Sequence, residues 1–296
     1  MTARTPSRRT VLGGLVATAL TAPVPAFAGA GVPRIVALDW VSAASLAALG
    51  VMPVAAPELP RYAQIVVEPA LAPGVQELGL RAEPNLERIA RLRPDAILTD
   101  GELAPLEARL GRIAPVHRFQ PHAFDGRDQI AAGMAALDGL GHALGLEGRV
   151  NDYLARARAA LDGAARLPDI DRRPAYVISL IDGRRCLVFT ADGLFQAVLD
   201  RLGIANAWTG TGSTFGHLTV TLDQLAARPE ARLINIGHVP LVRAALAMRQ
   251  PVLSSLPAIR AGRVTLLPEV LFYGGIPAAL RFLHLLTDAL RAEHTP

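Results

Sequence analysis

The sequence predicts an α/β fold, two three-layer α/β lobes joined by a single long helix, and three observations carry that reading. Short apolar runs alternate with helical patterns through the first half of the 296-residue chain. The same alternation returns in the second half. Between the halves lies one long amphipathic stripe. Alternation of this kind belongs to parallel or mostly parallel sheets covered by helices.

Taken in order, residues 1–28 read as a secretory signal of the twin-arginine type. Arg8 and Arg9 stand directly before an apolar run from Val11 to Leu20, and Ala26-Phe27-Ala28 supplies a small-x-small cleavage signature. The run is too short to span a bilayer and is broken by Pro23 and Pro25, which disfavours an anchor helix. The absence of a nearby cysteine excludes lipid attachment. Cleavage near Ala28 would start the mature chain at about Gly29, outside the cytoplasm.

Arg34 to Leu38 reads as a strand and Ser42 to Leu49 as a helix stopped at Gly50, with Val51 to Ala55 as a second strand. Asn85 caps a helix that opens at Leu86-Glu87, and Pro94 precedes the strand Ala96-Ile97-Leu98. Val150, Tyr153, Leu154, Ala157, Leu161 and Ala164 follow i, i+3, i+4, i+7 spacing, one apolar stripe on a helix over roughly Gly148 to Arg166. Pro168, Asp169, Asp171 and Pro174 then break it. The implied boundaries are a lobe over 29–145, a bridging helix over 146–168 and a second lobe over 169–296. A single helical crossing should permit less hinge motion than crossings by flexible strands.

In the second lobe, Ala175 to Ile181 and Cys186 to Phe189 form strands joined by an Asp182-Gly183 hairpin turn. A helix from Leu194 to Leu202 stops at Gly203. The strand Leu233 to Ile236, a helix from Leu241 to Met248, the strand Val264 to Leu267 and a last helix from Pro277 to Leu290 complete the pattern.

Composition narrows the function. An apolar fraction of 51% supports a real core. The net charge of +4 includes Arg4, Arg8 and Arg9, which leave with the signal. The nearly neutral remainder has no basic run and no aromatic-basic interleaving, which excludes nucleic acid as a partner. Lysine is absent, so no arginine is informative merely for being one. The single cysteine, Cys186, excludes an internal disulfide and reads as a small buried hydrophobe.

Enzyme signals are weak. Gly210-Thr211-Gly212-Ser213-Thr214-Phe215-Gly216 is followed by the strand-like Leu218-Thr219-Val220-Thr221, whereas a dinucleotide loop must open a helix. The histidines His117, His122, His142, His217 and His238 lack ligand spacing, and the carboxylates form no acid/base pair. No catalytic residue, metal ligand or cofactor is assigned, and the chain is not expected to be an enzyme.

Motifs in both halves carry a resemblance. Val36-Ala37-Leu38-Asp39-Trp40, Gly79-Leu80-Arg81-Ala82-Glu83-Pro84-Asn85-Leu86-Glu87 and Arg112-Ile113-Ala114-Pro115 occur in order. Leu187-Val188-Phe189, Leu194-Phe195-Gln196, Gly203-Ile204-Ala205-Asn206-Ala207-Trp208 and Leu271-Phe272-Tyr273-Gly274 follow. Together they resemble the ferric hydroxamate siderophore-binding proteins of periplasmic iron importers, the ferrichrome-binding type, across nearly all of the mature chain. The resemblance implies a monomer in the periplasm, a ligand cleft between the lobes and delivery to an inner-membrane ABC permease.

Such a ligand wraps its iron in six oxygens, so the protein need not coordinate metal. Arg81 matches the family's hydroxamate-contacting arginine, whose planar fork suits oxygen-rich ligands. Read on its own, Arg81 is a surface residue paired with Glu83. Tyr273 matches a cleft-lining residue, with Phe272 and Leu271 on the same wall. Rim positions that carry tryptophan in the family hold Ile65, Phe215 and Leu271 here. An expected tyrosine falls on Glu102 or Leu103, depending on a one-residue gap. The chemistry is therefore kept while the shape changes, which opens the site to a different hydroxamate or a mixed citrate-hydroxamate chelate. Glu107 and Asp223 match the permease-docking carboxylates. A binder of cobalamin, haem or a ferric catecholate remains open and, from another class, a secreted enzyme.

Overall fold

The computed structural model describes residues 32–123, 126–168, 170–213 and 216–293. The expected signal segment and Phe215 lie outside them. The first sheet contains β1 (Ile35–Ala37), β2 (Ala55–Ala56), β3 (Gln76–Glu77), β4 (Ala96–Thr99) and β5 (Val116–Arg118). They run in the order β3-β2-β1-β4-β5, all parallel. Helices α1 (Trp40–Ala48), α2 (Leu59–Ile65), α3 (Leu86–Arg91) and α4 (Glu107–Leu110) connect them. Asn85 caps α3 as expected, its side chain accepting from the Arg88 N–H.

The second sheet contains β6 (Ala175–Leu180), β7 (Arg185–Phe189), β8 (His217–Thr221), β9 (Arg232–Ile236) and β10 (Val264–Leu267), in the order β10-β9-β6-β7-β8. The first three in that order are parallel, and β7 runs antiparallel to both β6 and β8. The turn into β7 is held by Asp182, whose Oδ1 accepts from the Arg184 and Arg185 N–H groups, both at 2.8 Å.

Between the sheets in sequence come α5 (Gln129–Leu144) and α6 (Glu147–Ala165). All six residues of the expected stripe are buried on α6. The sequence reading missed α5 because Gly133, Gly139 and Gly141 lower its helix propensity. Two of those glycines are packing surfaces. A Cβ at Gly141 would sit 2.9 Å from Val150 Cγ2 on α6, and one at Gly133 would sit 3.2 Å from Ile276 Cδ1. Strand β2 also starts later than expected. Pro53 has no N–H to offer the ladder, which opens at Val54 N–H donating to Ile35 O at 2.8 Å.

The remaining helices are α7 (Leu194–Leu202), α8 (Val239–Ala247), α9 (Pro251–Ser255), α10 (Pro257–Arg260) and α11 (Gly275–Ala292). Among the described residues no helix is long and apolar enough to cross a membrane. The last helix packs on α1, α5, α6, α7 and β10. One hydrophobic core therefore runs from Ile35 and Leu98 in the first sheet to Ile234 and Leu267 in the second, through Phe195, Phe282 and Leu286. Polar ties cross between the halves as well. Arg281, only 6% exposed, donates from Nε to Glu269 O at 3.1 Å and pairs with Glu68 at 2.8 Å. The Gln129 amide donates to Asp192 O at 3.0 Å and accepts from the Ala123 N–H.

A shared core makes a specific demand on unfolding. Phe282→Ala removes a fully buried ring whose centroid lies 4.6 Å from that of Phe195, the planes inclined at 51°, and it should cost about 3–5 kcal/mol. Denaturant curves followed by circular dichroism and tryptophan fluorescence should shift together as one transition. Separate loss of the two lobes would contradict the shared core.

Candidate functional site

The order of the first sheet reverses between β1 and β4, since β2 and β3 extend one way and β4 and β5 the other. In open α/β sheets, ligands bind outside the carboxyl ends of the strands at such a point. Asp39, Trp40 and Val41 follow β1, Asp100, Gly101 and Glu102 follow β4, and Phe119 to His122 follow β5. All of them line a cavity of about 600 Å³, together with Arg81 and, from the second half, His217, Phe272 and Tyr273.

Arg81 is held on three sides. Glu77 organises its loop by accepting from the N–H groups of Glu58, Leu59 and Gly79 at 2.8, 2.7 and 2.7 Å. Gly79 has φ +85, a conformation that disfavours a side chain. Glu58 in turn accepts from the Arg81 backbone N–H at 3.3 Å and from Nε at 3.2 Å. The guanidinium carbon lies 3.8 Å from the centre of the Trp40 ring, a cation–π stack. Trp40 is itself fixed by Nε1 donating to Pro57 O at 3.2 Å. Across the lobes, Arg81 Nη1 donates to the Tyr273 hydroxyl at 3.4 Å.

Burial alone would loosen the arginine's proton, but the Tyr273 hydroxyl and the Glu58 carboxylate outweigh it and push its pKa up. The Arg81 side chain remains 32% exposed, and its five N–H donors outnumber its contacts to Glu58 and Tyr273. Because Tyr273 accepts from Arg81, its own O–H proton is available to a ligand oxygen.

The opposite wall is aromatic and anchored. The Phe272 ring stands edge-on to Tyr273 with centroids 4.9 Å apart, 4.8 Å from His217 and 5.6 Å from Phe189. Phe189 meets Phe195 at 4.7 Å, which ties this wall to the shared core.

Asp39, 4% exposed, caps α1 by accepting from the Ser42 N–H at 2.7 Å and the Ser42 hydroxyl at 2.6 Å. Burial pushes its carboxyl up to about 7, with the nearby Asp100 charge adding and the Ser42 hydrogen bonds opposing. Burial lowers the pKa of His122, partly opposed by Asp100, and also that of His117. Among the described residues no group of three His, Cys, Asp or Glu side chains could hold a metal ion.

Of the residues expected at a site, Arg81, Phe272 and Tyr273 meet in this cavity. Leu271 and Leu103 do not. Leu271 is 3% exposed within the shared core, and Leu103 is 6% exposed beside Val36, Ile97 and Leu110 in a separate cluster of the first half. Asp100 caps a tight 3-10 turn over Gly101–Leu106 by accepting from the Glu102 N–H, so Glu102 lines the cavity while Leu103 turns inward. Ile65 is half-buried on α2 against the shared core, away from the lining. Glu107, at the start of α4, takes both guanidinium contacts of Arg118 at 2.9 Å. Asp223 is exposed in the 3-10 turn Leu222–Ala227.

Sequence reasoning missed Trp40, Glu58 and Asp39 as parts of the site, and it offered Arg81 the wrong partner, Glu83 in place of Glu58. The signal for the first and last was present, because Asp39 and Trp40 stand just past the carboxyl end of a recognisable strand. Glu58 gave none, being 23 residues from its partner.

A family model described as periplasmic binding protein matches residues 35–271. The chain is 33% identical over 258 residues to the iron(3+)-hydroxamate-binding protein FhuD of Escherichia coli (strain K12), covering 87% of this chain and 86% of that one. It resembles the crystal structure of the Fe3+–Desferal-bound siderophore-binding protein FhuD from Vibrio cholerae with a TM-score of 0.80 at 28% identity, over 88% of this chain and 99% of that one. The catecholate-siderophore binding protein VctP of Vibrio cholerae shares the fold, with a TM-score of 0.64 at 16% identity, over 88% and 93% of the respective chains.

The Asp39 carboxyl gives the site a pH signature. Its native pKa of about 7 lies above the ordinary 3.8, so the native state retains a proton that the unfolded chain releases. The stability this contributes is complete below about pH 4 and is lost as pH rises through 7. Asp39→Asn keeps a capping oxygen and removes the charge. Between pH 5 and 8 it should gain stability relative to the parent, on the order of a few kcal/mol. Urea midpoints at the two pH values measure this, and parallel shifts of both proteins would contradict it.

Proposed function

Because the chain belongs to the periplasmic binding protein family, we propose that it captures a ferric hydroxamate siderophore between its lobes and passes it to an inner-membrane ABC permease. The observation that carries this reading is the Arg81 guanidinium, stacked on Trp40, braced by Glu58 and facing Tyr273 from the other lobe. The iron is cargo already enclosed by six ligand oxygens. What the protein must supply is donors for those oxygens and apolar surface for the carrier skeleton. The free part of the Arg81 fork and the Tyr273 O–H are the donors, and the rings of Phe272 and Tyr273 are the apolar surface.

A cavity of about 600 Å³ falls within the range of small-molecule sites. Among the described residues the lining offers no nucleophile beside an activating base, and the proposed role leaves the ligand chemically unchanged. The arginine pair and cleavage signature of the first 28 residues support export through the twin-arginine route, and the mature chain acts in the periplasm as a monomer. The lobe boundaries follow the connections, with residues 146–168 as the bridge. Glu107 and Asp223, from different lobes, are the carboxylates that meet permease arginines. Arg118 already occupies Glu107, so docking there exchanges one arginine for another.

Two measurements test these assignments. Ferric hydroxamate binding followed by tryptophan quenching should weaken about 10- to 100-fold in Arg81→Ala, as befits loss of a charged hydrogen-bond donor. Tyr273→Phe should weaken it several-fold, whereas unchanged affinity in both variants would remove the binding role. Charge reversal at Glu107 and Asp223 together should abolish cellular iron uptake from the chelate and leave affinity intact. Loss of affinity in that double variant would refute the docking role.

A further inference from the structure

Helix α8 carries more apolar surface than its packing uses. Its inner side buries Val242 and Ala245 in one hydrophobic cluster with Leu253 of α9 and Ala258 of α10, against Tyr176 and Leu233 of the second sheet. A helix that covers a sheet in this way ordinarily turns polar residues to water. On α8, however, Leu241, Ala244 and, at the C-cap, Met248 recur at i, i+3 and i+7 and are all exposed, Leu241 at 49% and Met248 at 68%. The charge around this second stripe is one-sided. No aspartate or glutamate occurs between Glu230 and Glu269, whereas the same stretch holds five arginines and His238. Arg232 is buried and paired with Asp171 and Glu293, and Arg263 folds back to donate to Ala231 O and Pro229 O. Arg243, Arg249 and Arg260 are exposed, and none has an ion pair or a side-chain hydrogen bond among the described residues. The hairpin turn at Asp182 abuts Gln250 at the start of α9, since a Cβ on Gly183 would lie 2.7 Å from Gln250 Oε1. Asp182 itself pairs with Arg185, Glu230 with Arg228, and Glu269 lies 3.9 Å from His238. Among the described residues that leaves Asp223, on the 3-10 turn that packs on α9, against the three arginines.

An apolar stripe set among unpaired arginines complements a surface that is anionic on its outside and apolar beneath. A bilayer of anionic phospholipid has that layering, with phosphates for the guanidinium forks and acyl chains for the aliphatic side chains. The stripe lies along a convex helix face, so it offers no groove that would grip an extended peptide. The mature chain as a whole is nearly neutral, so the positive charge here is local. We propose that α8, α9 and α10 form a membrane-contact face, on which Arg243, Arg249 and Arg260 meet the phosphates of an anionic bilayer while Leu241 and Met248 enter its interface. Contact of this kind is peripheral and reversible. It is independent of the ligand assigned to the cavity, because none of these five residues belongs to the cavity lining.

Co-sedimentation with vesicles tests the face directly. The mature protein is mixed with vesicles of phosphatidylcholine alone, or of an equal mixture of phosphatidylcholine and phosphatidylglycerol. The parent should partition onto the mixed vesicles about 10- to 100-fold more strongly than onto the neutral ones, the scale of a few surface arginines each worth several-fold. That preference should shrink as salt is added. The Arg243→Gln, Arg249→Gln, Arg260→Gln triple variant should bind both kinds of vesicle alike. A control triple variant, Arg112→Gln, Arg156→Gln, Arg158→Gln, loses the same net charge from exposed positions elsewhere and should keep the preference. Leu241→Gln with Met248→Gln should weaken binding to the mixed vesicles several-fold and leave its salt dependence in place. Melting curves verify the fold of each variant. Equal binding of the parent to both kinds of vesicle, equal loss in the control triple, or undiminished binding in the Leu241, Met248 variant would overturn the membrane face. Binding only to vesicles that carry inner-membrane proteins would also overturn it and assign the surface to a protein partner.

Discussion

The cleft depends on the two lobes keeping a fixed spacing, and a single hydrophobic core sets that spacing. Helix α11 leaves the second sheet and packs on α1 of the first, while α5 and α6 fill the space between. Spreading the lobes would expose Phe195, Phe282 and Leu286, all buried, and water-exposed apolar surface costs about 25 cal/mol per Å². The buried Arg281 would lose Glu68, its partner in the first half, in the same movement. The cavity is therefore preorganised: Arg81 and Tyr273 are held in place without a ligand, and little ordering cost would be left for binding one.

Preorganisation reaches the ligand-facing groups through two chains of contact. On one side, Glu77 fixes two loops, Glu58 fixes the base of Arg81, and Trp40 fixes its face. On the other, Tyr273 leans on Phe272, Phe272 on Phe189, Phe189 on Phe195 and Phe195 on Phe282. The chains meet at the contact of Arg81 with Tyr273, the point where the lobes touch across the cavity. A flexible arginine becomes a directional donor because each of its degrees of freedom is opposed by a different neighbour.

Much of this was legible in the sequence where periodicity carried it. The six apolar residues of the bridging stripe are all buried on α6, and α7 and β10 begin and end where the pattern put them. Helix α5 was not legible, because the glycines that let it approach α6 and α11 also erase its propensity. The site followed the same division. Arg81, Phe272 and Tyr273 sit in motifs and were found together. Leu103 and Leu271 were misplaced because a resemblance gives position along the chain but not which way a side chain turns. A one-residue step in a 3-10 turn exchanged Leu103 for Glu102. Trp40 and Glu58 act on Arg81 only after folding brings distant segments together.

The most direct test of the whole account is a crystal structure of the mature protein with ferric desferrioxamine B bound. The account predicts the Arg81 guanidinium and the Tyr273 hydroxyl within hydrogen-bond distance of hydroxamate oxygens, no protein atom on the iron, and lobes related as they are without ligand. A chelate seated away from Arg81, or a protein carboxylate coordinating the iron, would contradict it.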